Sequence, residues 1–322
     1  MSAGDLTPLS VILPVLNERD NLEPLHERLT EALEPMGRDW EVIYVDDGST
    51  DGSWDVLRKL AAADERVRLV RLRKNFGQTP ALAAGFAHAR HPILVTLDAD
   101  LQNDPQDIPR LVEQLGDSYD VVSGWRRDRN DPWLTRLLPS HAANFLIKKV
   151  SGVPLHDFGC TLKAYRREVV RDVSLYGEMH RFLPVLAAWV GGRVTEMEVT
   201  HHPRTRGVSK YGLLRTYKVL VDLITLKFIG DFQSRPNYIF GGFGLLSLML
   251  GLLALDVVAY RVFLLRRFEA TPLVFLMVLF FITGIFSLFI GFLAEIVIRG
   301  FHDTQRKPTY YVRETVGLDG KA

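Results

Sequence analysis

The sequence contains a single cysteine, Cys160, and carries almost no net charge. One cysteine cannot form a disulfide within the chain, which is compatible with a reducing compartment. The formal net charge of +1 gives no electrostatic reason to expect a nucleic-acid partner. The first twenty residues lack a basic start and a long apolar run, so we expect no secretory signal peptide there.

Charged residues are missing from two long stretches, residues 237–255 and 272–294. At a rise of 1.5 Å per residue, about 20 apolar residues cross the roughly 30 Å hydrocarbon core of a membrane. A short basic segment joins the two stretches, so they predict a transmembrane helical hairpin over residues 235–299 of an integral membrane protein. Two buried core helices of a soluble protein are the alternative, which two adjacent runs of this length disfavour.

Basic residues around the hairpin predict its orientation. The connecting segment carries three, Arg261, Arg266 and Arg267, and the flanking segments carry six, Lys227, Arg235, Arg299, Arg306, Lys307 and Arg313. Cytoplasmic segments of membrane proteins are enriched in lysine and arginine. We therefore expect the first part of the chain and the tail, residues 300–322, to lie in the cytoplasm, with the tail as a surface segment.

The first two thirds of the chain alternates between strand-like and helix-like segments. Runs rich in β-branched residues, such as "LSVILPVL" and "PILVTLDAD", are separated by segments with apolar residues at helical spacing. This alternation predicts an α/β domain over residues 1–211 with a mostly parallel, Rossmann-like sheet. In residues 212–234, charged residues three and four apart predict an amphipathic helix at the membrane surface, with a core-packed helix as the alternative.

Polar residues follow three of the predicted strands, in "PVLNE", "VDDGSTDGS" and "LDADLQ". In parallel sheets, ligands bind beyond the carboxyl ends of the strands. Asp98 and Asp100 would place two hard oxygen ligands at that edge, which suits Mg²⁺ or Mn²⁺ bound to a diphosphate. Taken alone, "DAD" is more often a solvated turn. The chain has no GxxxxGK[ST] motif, so a P-loop does not hold the phosphates.

The acidic residues of "DDGSTDGS" have the spacing of a calcium-binding loop. Its twelfth position would be Arg58 instead of glutamate, and a strand precedes it instead of a helix, so the sequence excludes an EF-hand. A loop that faces a nucleotide fits better. Carboxylates accept hydrogen bonds from a base or a ribose, and glycine allows close approach of the backbone.

Five segments in this order resemble the family 2 glycosyltransferases: "PVLNE", "VDDGSTDGS", "LDADLQNDP", "HDFGCTLKAYRRE" and "HHPRTRGVSKYG". More narrowly, they resemble the polyisoprenyl-phosphate glycosyltransferases, the group of dolichol-phosphate mannose synthase and the bacterial undecaprenyl-phosphate glucosyl and aminoarabinose transferases. The resemblance extends over nearly the whole chain, apolar hairpin included. Each motif is short, but their combination is specific. The resemblance implies a GT-A fold for the catalytic domain.

The resemblance also implies which residues bind the donor and the metal. The residues around the nucleotide would be Pro14, Asn17, Glu18, Asp46, Asp47 and Asp98. Within this set, Asp46 or Asp47 would contact the base and ribose. The metal and the diphosphate would be held by Asp98, Asp100 and Gln102, with Mg²⁺ or Mn²⁺ as the cofactor.

Four further residues are implied on the acceptor side. Asp157 matches the acidic residue that is usually called the catalytic base of the family. Arg204, Ser209 and Lys210 match an RxxGxSKY element near the phosphates, where Arg204 and Lys210 would stabilise the negative charge that develops on the departing diphosphate. A phosphate monoester has a second pKa near 6, so at neutral pH the acceptor is mostly a dianion and Asp157 has little proton to remove. The sequence leaves open whether Asp157 acts as a base or positions the acceptor.

The implied reaction moves a sugar from a UDP- or GDP-linked donor to a polyisoprenyl phosphate, with inversion at the anomeric carbon. It would take place at the cytoplasmic face of a bacterial-type inner membrane and depend on a divalent metal. A processive polysaccharide synthase is one alternative, but the chain lacks the usual QxxRW motif. The other is a catalytically silent membrane scaffold that binds sugar nucleotides. The identity of the sugar and the formation of a homo-oligomer stay open.

Overall fold

The computed structural model describes residues 7–116, 118–127, 144–145, 147–149, 151–171, 173, 175, 179–203, 237–263, 266, 271–304 and 309–318. Three predicted site residues, Arg204, Ser209 and Lys210, lie outside the described residues, and so does the predicted surface helix, residues 212–234. The chain divides into two compact units. The first comprises Met1–Ile224 and Pro308–Ala322, and the second comprises Thr225–Lys307.

The first unit is built on an eight-stranded sheet with the order β7-β5-β6-β4-β1-β2-β3-β8. The strands are β1 (Leu9–Val15), β2 (Trp40–Asp46), β3 (Val67–Leu72), β4 (Ile93–Thr96), β5 (Val121–Trp125), β6 (Lys163–Arg166), β7 (Val194–Glu198) and β8 (Val312–Val316). The four central strands β4, β1, β2 and β3 are parallel. Since β6 runs antiparallel between β4 and β5, β5 points in the same direction as β4. The predicted mostly parallel α/β sheet is confirmed.

Helices cover both faces of this sheet. They are α1 (Arg19–Leu33), α2 (Ser53–Ala63), α3 (Gln78–His88), α4 (Ile108–Leu115), α5 (Arg167–Arg171) and α6 (Leu183–Trp189). Side chains of a strand alternate between the two faces. In β1, Val11 and Leu13 face the core that α1, α2 and α4 cover, whereas Ile12 faces the core beneath α3 and α6.

Helix α3 lies directly on β1 because Gly85 has no side chain. A Cβ at Gly85 would overlap the Cγ2 atom of Ile12. The close contact aligns α3 with the central strands, so its first residue, Gln78, reaches the carboxyl edge of the sheet. There the Gln78 side chain donates a hydrogen bond of 2.7 Å to Asp98.

The tail adds a strand that the sequence does not reveal. β8 pairs antiparallel with β3, with Leu69 opposite Val316 and Val70 opposite Thr315. The backbone of Arg73 also donates to the carbonyl of Tyr311 at 2.9 Å. Within the predicted tail, residues 300–322, residues 312–316 therefore cover the edge of the sheet as β8. The segment is short and largely polar, so its pattern alone does not identify it as a strand.

The second unit consists of two long helices, α7 (Asn237–Phe263) and α8 (Pro272–Thr304). Within them, Phe240–Phe263 and Pro272–Leu293 are long and apolar enough to cross a membrane. The helices pack antiparallel. Ser247 and Thr283 share a hydrogen bond of 2.9 Å, and Ser287 donates to the carbonyl of Phe240 at 2.8 Å. Large apolar side chains on these helices remain exposed. Phe275, for example, is 70% exposed. This exposure is typical of a lipid-facing hairpin and argues against two buried core helices.

Candidate active site

The three polar strand ends meet at one edge of the sheet. β1 lies between β2 and β4 and is parallel to both, so the segments after Val15, Asp46 and Thr96 emerge side by side. β5 points in the same direction and adds a fourth end, which carries Arg126 directly after Trp125. Ligands of α/β sheets bind at this edge, so we take it as the candidate active site.

Asp47 holds the loop that follows β3. Its buried carboxylate accepts hydrogen bonds from the backbone N–H groups of Phe76, at 2.7 Å, and Gly77, at 2.9 Å. Burial raises the pKa of Asp47 to about 6, although these two hydrogen bonds act in the opposite direction. Gly48 makes the contact between the loops possible. Its φ is +76°, and a Cβ there would lie 2.7 Å from backbone atoms of the β3 loop.

Asp46 is buried at the end of β2. It accepts a hydrogen bond of 3.0 Å from the backbone of Ser49, and the Arg71 Nε atom lies 3.3 Å from its second oxygen. The Arg71 guanidinium in turn lies 5.0 Å from the centre of the Trp54 ring. Both carboxylates of the "DD" pair therefore have structural partners. Their predicted contact with base and ribose stays a prediction.

Asn17 and Glu18 connect the end of β1 to the loop after β2. Asn17 has a φ of +55°, which asparagine tolerates better than most residues. Its side-chain oxygen accepts from the backbone of Thr50 at 2.8 Å, and its own N–H donates to Ser49 Oγ at 3.0 Å. The backbone of Glu18 donates to Ser53 Oγ at 3.1 Å. These bonds fix the loop next to Pro14, which itself lines the cavity described below.

Asp98 and Asp100 follow β4 in a strained turn. Leu101 lies between Asp100 and Gln102. Its φ of +61° is rare for a residue with a side chain. The turn brings the backbone N–H of Gln102 within 3.2 Å of an Asp100 oxygen. Burial, and next the negative charge of Asp100, raise the pKa of Asp98 to about 7.

This pair of carboxylates suits a hard divalent cation. Burial, and next the charge of Asp100, disfavour the ionised form of Asp98, and a bound cation would favour it. Mg²⁺ typically takes one or two carboxylates, with the remaining positions filled by substrate phosphates and water. The part of the chain that the structure describes holds no group of three or more His, Cys, Asp or Glu side chains suited to a metal. Besides Gln102, further ligands would come from the diphosphate and from water.

Asp157 forms a buried ion pair with Arg126. The Arg126 Nε and Nη2 atoms donate to the two carboxylate oxygens at 2.8 Å and 3.1 Å. The backbone of Gly159 donates a further bond of 3.0 Å to Asp157. The side chains of Asp157 and Arg126 are only 5% and 13% exposed. Sequence reasoning missed Arg126, although its place directly after a strand that ends at the same edge is a signal that could have found it.

A cavity opens beside Asp98 beneath the edge of the sheet. Its lining residues come from β1, the end of β4 and the turn after it, the segment before β6, β6 itself, the start of α3 and the segment before α6: Pro14, Gln78, Leu82, Thr96, Leu97, Asp98, Phe158, Gly159, Cys160, Thr161, Lys163, Tyr165, His180 and Arg181. Lys163 is 2% exposed, and its Nζ donates to the carbonyl of Phe158 at 3.2 Å. Burial lowers the pKa of Lys163 to about 8. The sequence did not single out Lys163 or Arg181.

The segment that leads into Arg204 starts beside the carboxylate turn. The backbone of Thr200 donates to Asp107 at 2.6 Å, and the backbone of His202 donates to the carbonyl of Gln102 at 2.7 Å. The His202 ring lies 2.8 Å from an Asp104 oxygen. These contacts give His202 a structural role. Arg204, Ser209 and Lys210 themselves lie outside the described residues, so their predicted roles stay predictions.

Comparison with known proteins points to one family. The family model of glycosyl transferase family 2 matches residues 10–174. A dodecaprenyl-phosphate galacturonate synthase from Rhizobium johnstonii is 41% identical over 95% of this chain and 92% of its own length. An undecaprenyl-phosphate 4-deoxy-4-formamido-L-arabinose transferase from Aeromonas hydrophila is 36% identical over 98% of this chain and 96% of its own.

Solved structures share the fold at low identity. A mannosyltransferase from Pyrobaculum calidifontis, solved with GDP-Man and Mn²⁺, is 19% identical with a TM-score of 0.51, covering 94% of this chain and 81% of its own. A glucosyl-3-phosphoglycerate synthase from Mycobacterium tuberculosis, solved with Mn²⁺, UDP-Glc and phosphoglyceric acid, is 22% identical. Its TM-score is 0.53, and the match covers 70% of this chain and 84% of that chain. The GT-A architecture that the sequence implies is confirmed.

Proposed function

The chain belongs to glycosyl transferase family 2, within its polyprenyl-phosphate group, and we propose that it transfers one sugar, with inversion, from a nucleoside diphosphate to a polyprenyl phosphate. That the protein is a glycosyltransferase acting on a polyprenyl phosphate follows from its relatives. The metal requirement, the inversion and the cytoplasmic position of the site are the proposed refinements. The observation that carries the metal requirement is the pair Asp98 and Asp100 at the carboxyl edge of the sheet.

We propose that Asp98, Asp100 and Gln102 hold Mg²⁺ or Mn²⁺ and, through it, the diphosphate. The bound metal supplies Lewis-acid stabilisation of the negative charge that develops on the departing diphosphate. Gln78 fixes one oxygen of Asp98 at 2.7 Å, so the carboxylate is oriented before any ligand arrives. Solved neighbours bound to Mn²⁺ together with a sugar nucleotide support the assignment.

Asp157 then acts by position, as we propose, and not as an obligatory base. Both of its oxygens accept hydrogen bonds from Arg126, which holds the carboxylate in a fixed orientation. The acceptor phosphate is mostly a dianion at neutral pH, so its attacking oxygen needs no proton removed. A single displacement from the face opposite the diphosphate inverts the anomeric carbon. A positioned nucleophile accelerates such a step through proximity alone.

The membrane hairpin gives the reaction its location. The donor is water-soluble and the acceptor is a lipid, so the catalytic unit must work at the membrane interface. Two helices with the length and composition of membrane spans support this arrangement. Six basic residues flanking the hairpin, against three in its connecting segment, favour a cytoplasmic catalytic unit.

The test is transfer by the purified full chain in detergent or liposomes. Radiolabelled UDP- and GDP-linked sugars, including acidic, amino and neutral hexoses, are incubated singly with a short polyprenyl phosphate and Mn²⁺. We expect label from at least one donor in the lipid extract. Transfer to polyprenyl phosphate that continues to long polymers would support a processive synthase. Donor binding with no lipid product from any donor would support the silent scaffold.

A further inference from the structure

The contact between the tail and the catalytic unit extends beyond the edge of β3. The last pair of the ladder places Val312 of β8 opposite Leu72, where β3 ends. Before Val312 the tail lies against the β3 loop, residues 73–77, and the backbone N–H of Arg73 donates to the carbonyl of Tyr311 at 2.9 Å. Since β8 is antiparallel to β3, this part of the tail lies at the carboxyl edge of the sheet, the edge of the candidate active site.

An irregularity in the ladder accompanies this contact. Arg71 lies opposite Glu314 and the next residue, Leu72, lies opposite Val312, so Arg313 is an extra residue in β8. Such a bulge bends its strand, and bulges are common beside active sites, where they redirect side chains. This one lies two positions from Tyr311, between the residues that cover β3 and those that contact the loop.

The Tyr311 ring supports the loop directly. Its centre lies 6.1 Å from the centre of the Phe76 ring, at a tilt of 49°, within the range in which aromatic rings attract each other. The Arg73 guanidinium lies 5.9 Å from the centre of the Tyr311 ring. Phe76, Tyr310 and Val312 all pack against the apolar core beneath α3 and α6. The tail and the β3 loop therefore share one backbone hydrogen bond, one aromatic contact and one stretch of core.

The β3 loop in turn holds two residues of the proposed donor site. The backbone N–H groups of Phe76 and Gly77 donate to Asp47 at 2.7 Å and 2.9 Å. Gln78 follows the loop directly and donates to Asp98 at 2.7 Å. In the proposed reaction Asp47 lies at the nucleoside and Asp98 at the metal. A shift of the loop would therefore move both carboxylates.

We propose that Tyr311 is a positioning residue of the donor site, which holds the β3 loop in the arrangement that binds a nucleoside diphosphate with its metal. This inference rests on the proposed function and adds to it a residue from beyond the membrane hairpin. Tyr311 acts through Phe76 and the loop. Coupling between two sites is reciprocal, so a nucleotide that orders the loop must also stabilise the tail against it. Since Tyr311 is 53% exposed, its ring can be removed without opening the core.

The first experiment measures nucleotide binding by calorimetry on the purified full chain in detergent. UDP and GDP are titrated separately in the presence of Mn²⁺. The variants are Tyr311→Ala and Tyr311→Phe, and the matched control is Thr315→Ala, an exposed β8 residue opposite Val70. Melting curves of each variant show that the fold is kept.

We expect Tyr311→Ala to weaken binding of the nucleotide that wild type prefers by roughly 2- to 10-fold, the range that one aromatic pair contributes. Tyr311→Phe keeps the ring and should bind like wild type, as should Thr315→Ala. In transfer assays with the matching donor, Tyr311→Ala should raise KM for the donor and leave kcat and KM for the polyprenyl phosphate unchanged. Equal increases of both KM values would show general destabilisation and overturn the proposal.

The second experiment requires no variant. Hydrogen exchange of wild type is compared with and without saturating nucleotide and Mn²⁺, and we expect slower exchange in residues 309–316 as well as in the β3 loop. Protection of the loop alone, or wild-type affinity in Tyr311→Ala, would refute the role of Tyr311 and leave the proposed function standing. If wild type binds neither nucleotide, the donor side of the proposed function fails and this inference fails with it.

Discussion

Replacing Asp157 by asparagine separates the two roles that a carboxylate at this position could have. In the structure the carboxylate accepts two parallel bonds from Arg126, at 2.8 Å and 3.1 Å, and a third from Gly159 at 3.0 Å. Asparagine keeps the shape but offers one oxygen, so one N–H of the guanidinium would face the NH₂ group instead of an acceptor. Breaking a buried ion pair costs on the order of 3–5 kcal/mol of unfolding free energy.

We therefore expect Asp157→Asn to lower both the melting temperature and the turnover. A misplacement of about 1 Å in a site of this kind costs roughly 100-fold in rate. If Asp157 only positions the acceptor, the loss should be the same at pH 6.5 and pH 8. Arg126→Lys keeps the charge but loses the paired geometry, so it should show a similar, smaller and equally pH-independent defect.

The assay is initial-rate transfer to a short polyprenyl phosphate over that pH range, with melting curves measured in the same buffers. A defect that shrinks steadily as pH rises would restore the general base, since an acceptor that ionises without help would need it less. A base would also leave Arg126→Lys with a different pH profile from Asp157→Asn. Near-wild-type turnover in Asp157→Asn would remove the residue from the site altogether.

The remaining predictions test the metal pair, the donor loop, the hairpin and the tail. Because the pKa of Asp98 is raised to about 7, Mn²⁺ binding measured by calorimetry should release protons and weaken below pH 7; pH-independent affinity would contradict this. For the same reason the free energy of unfolding of the metal-free protein should fall as pH rises from about 4 to 7. Over this range the folded state keeps a proton on Asp98 that the unfolded state has released. Gly48→Ala places a Cβ 2.7 Å from the β3 loop at a φ of +76°, so it should raise KM for the donor and cost about 1–3 kcal/mol; unchanged kinetics would refute the role of this contact. A Cβ at Gly284 would lie 2.7 Å from Leu248, so Gly284→Leu should destabilise the helix pair in detergent melts whereas exposed Phe275→Leu should not. Deleting residues 309–322 uncovers the edge of β3 and should promote aggregation, seen by size-exclusion chromatography.

The sequence predicts the parts of the fold whose signal is local. Apolar runs of β-branched residues between helical segments predict the parallel sheet, and two uncharged stretches predict the helices α7 and α8. Because ligands of parallel sheets bind at the carboxyl ends of the strands, the sequence also predicts that the three polar segments share one edge. Asp98 and Asp100 emerge at that edge as expected.

Long-range partners are what the sequence does not disclose. Asp47 looks like a free ligand for a nucleotide, yet its oxygens bind the backbone of Phe76 and Gly77, about thirty positions along the chain. Asp157 gives no sign that it pairs with Arg126, because 31 positions separate them. β8 is short and polar, and only its pairing with β3 makes it a strand. In each case the deciding interaction joins distant segments, so periodicity and spacing carry no trace of it.

The most direct test of the proposed reaction uses the purified protein, a short polyprenyl phosphate and the donor that the panel identifies. The product is extracted and identified by mass spectrometry, with wild type compared against Asp100→Asn and against wild type in excess EDTA. The account predicts a polyprenyl phosphate carrying one sugar, formed by wild type with Mg²⁺ or Mn²⁺ and lost in both other samples. Full product formation in excess EDTA, or by Asp100→Asn, would contradict the metal-held diphosphate on which the proposed mechanism depends.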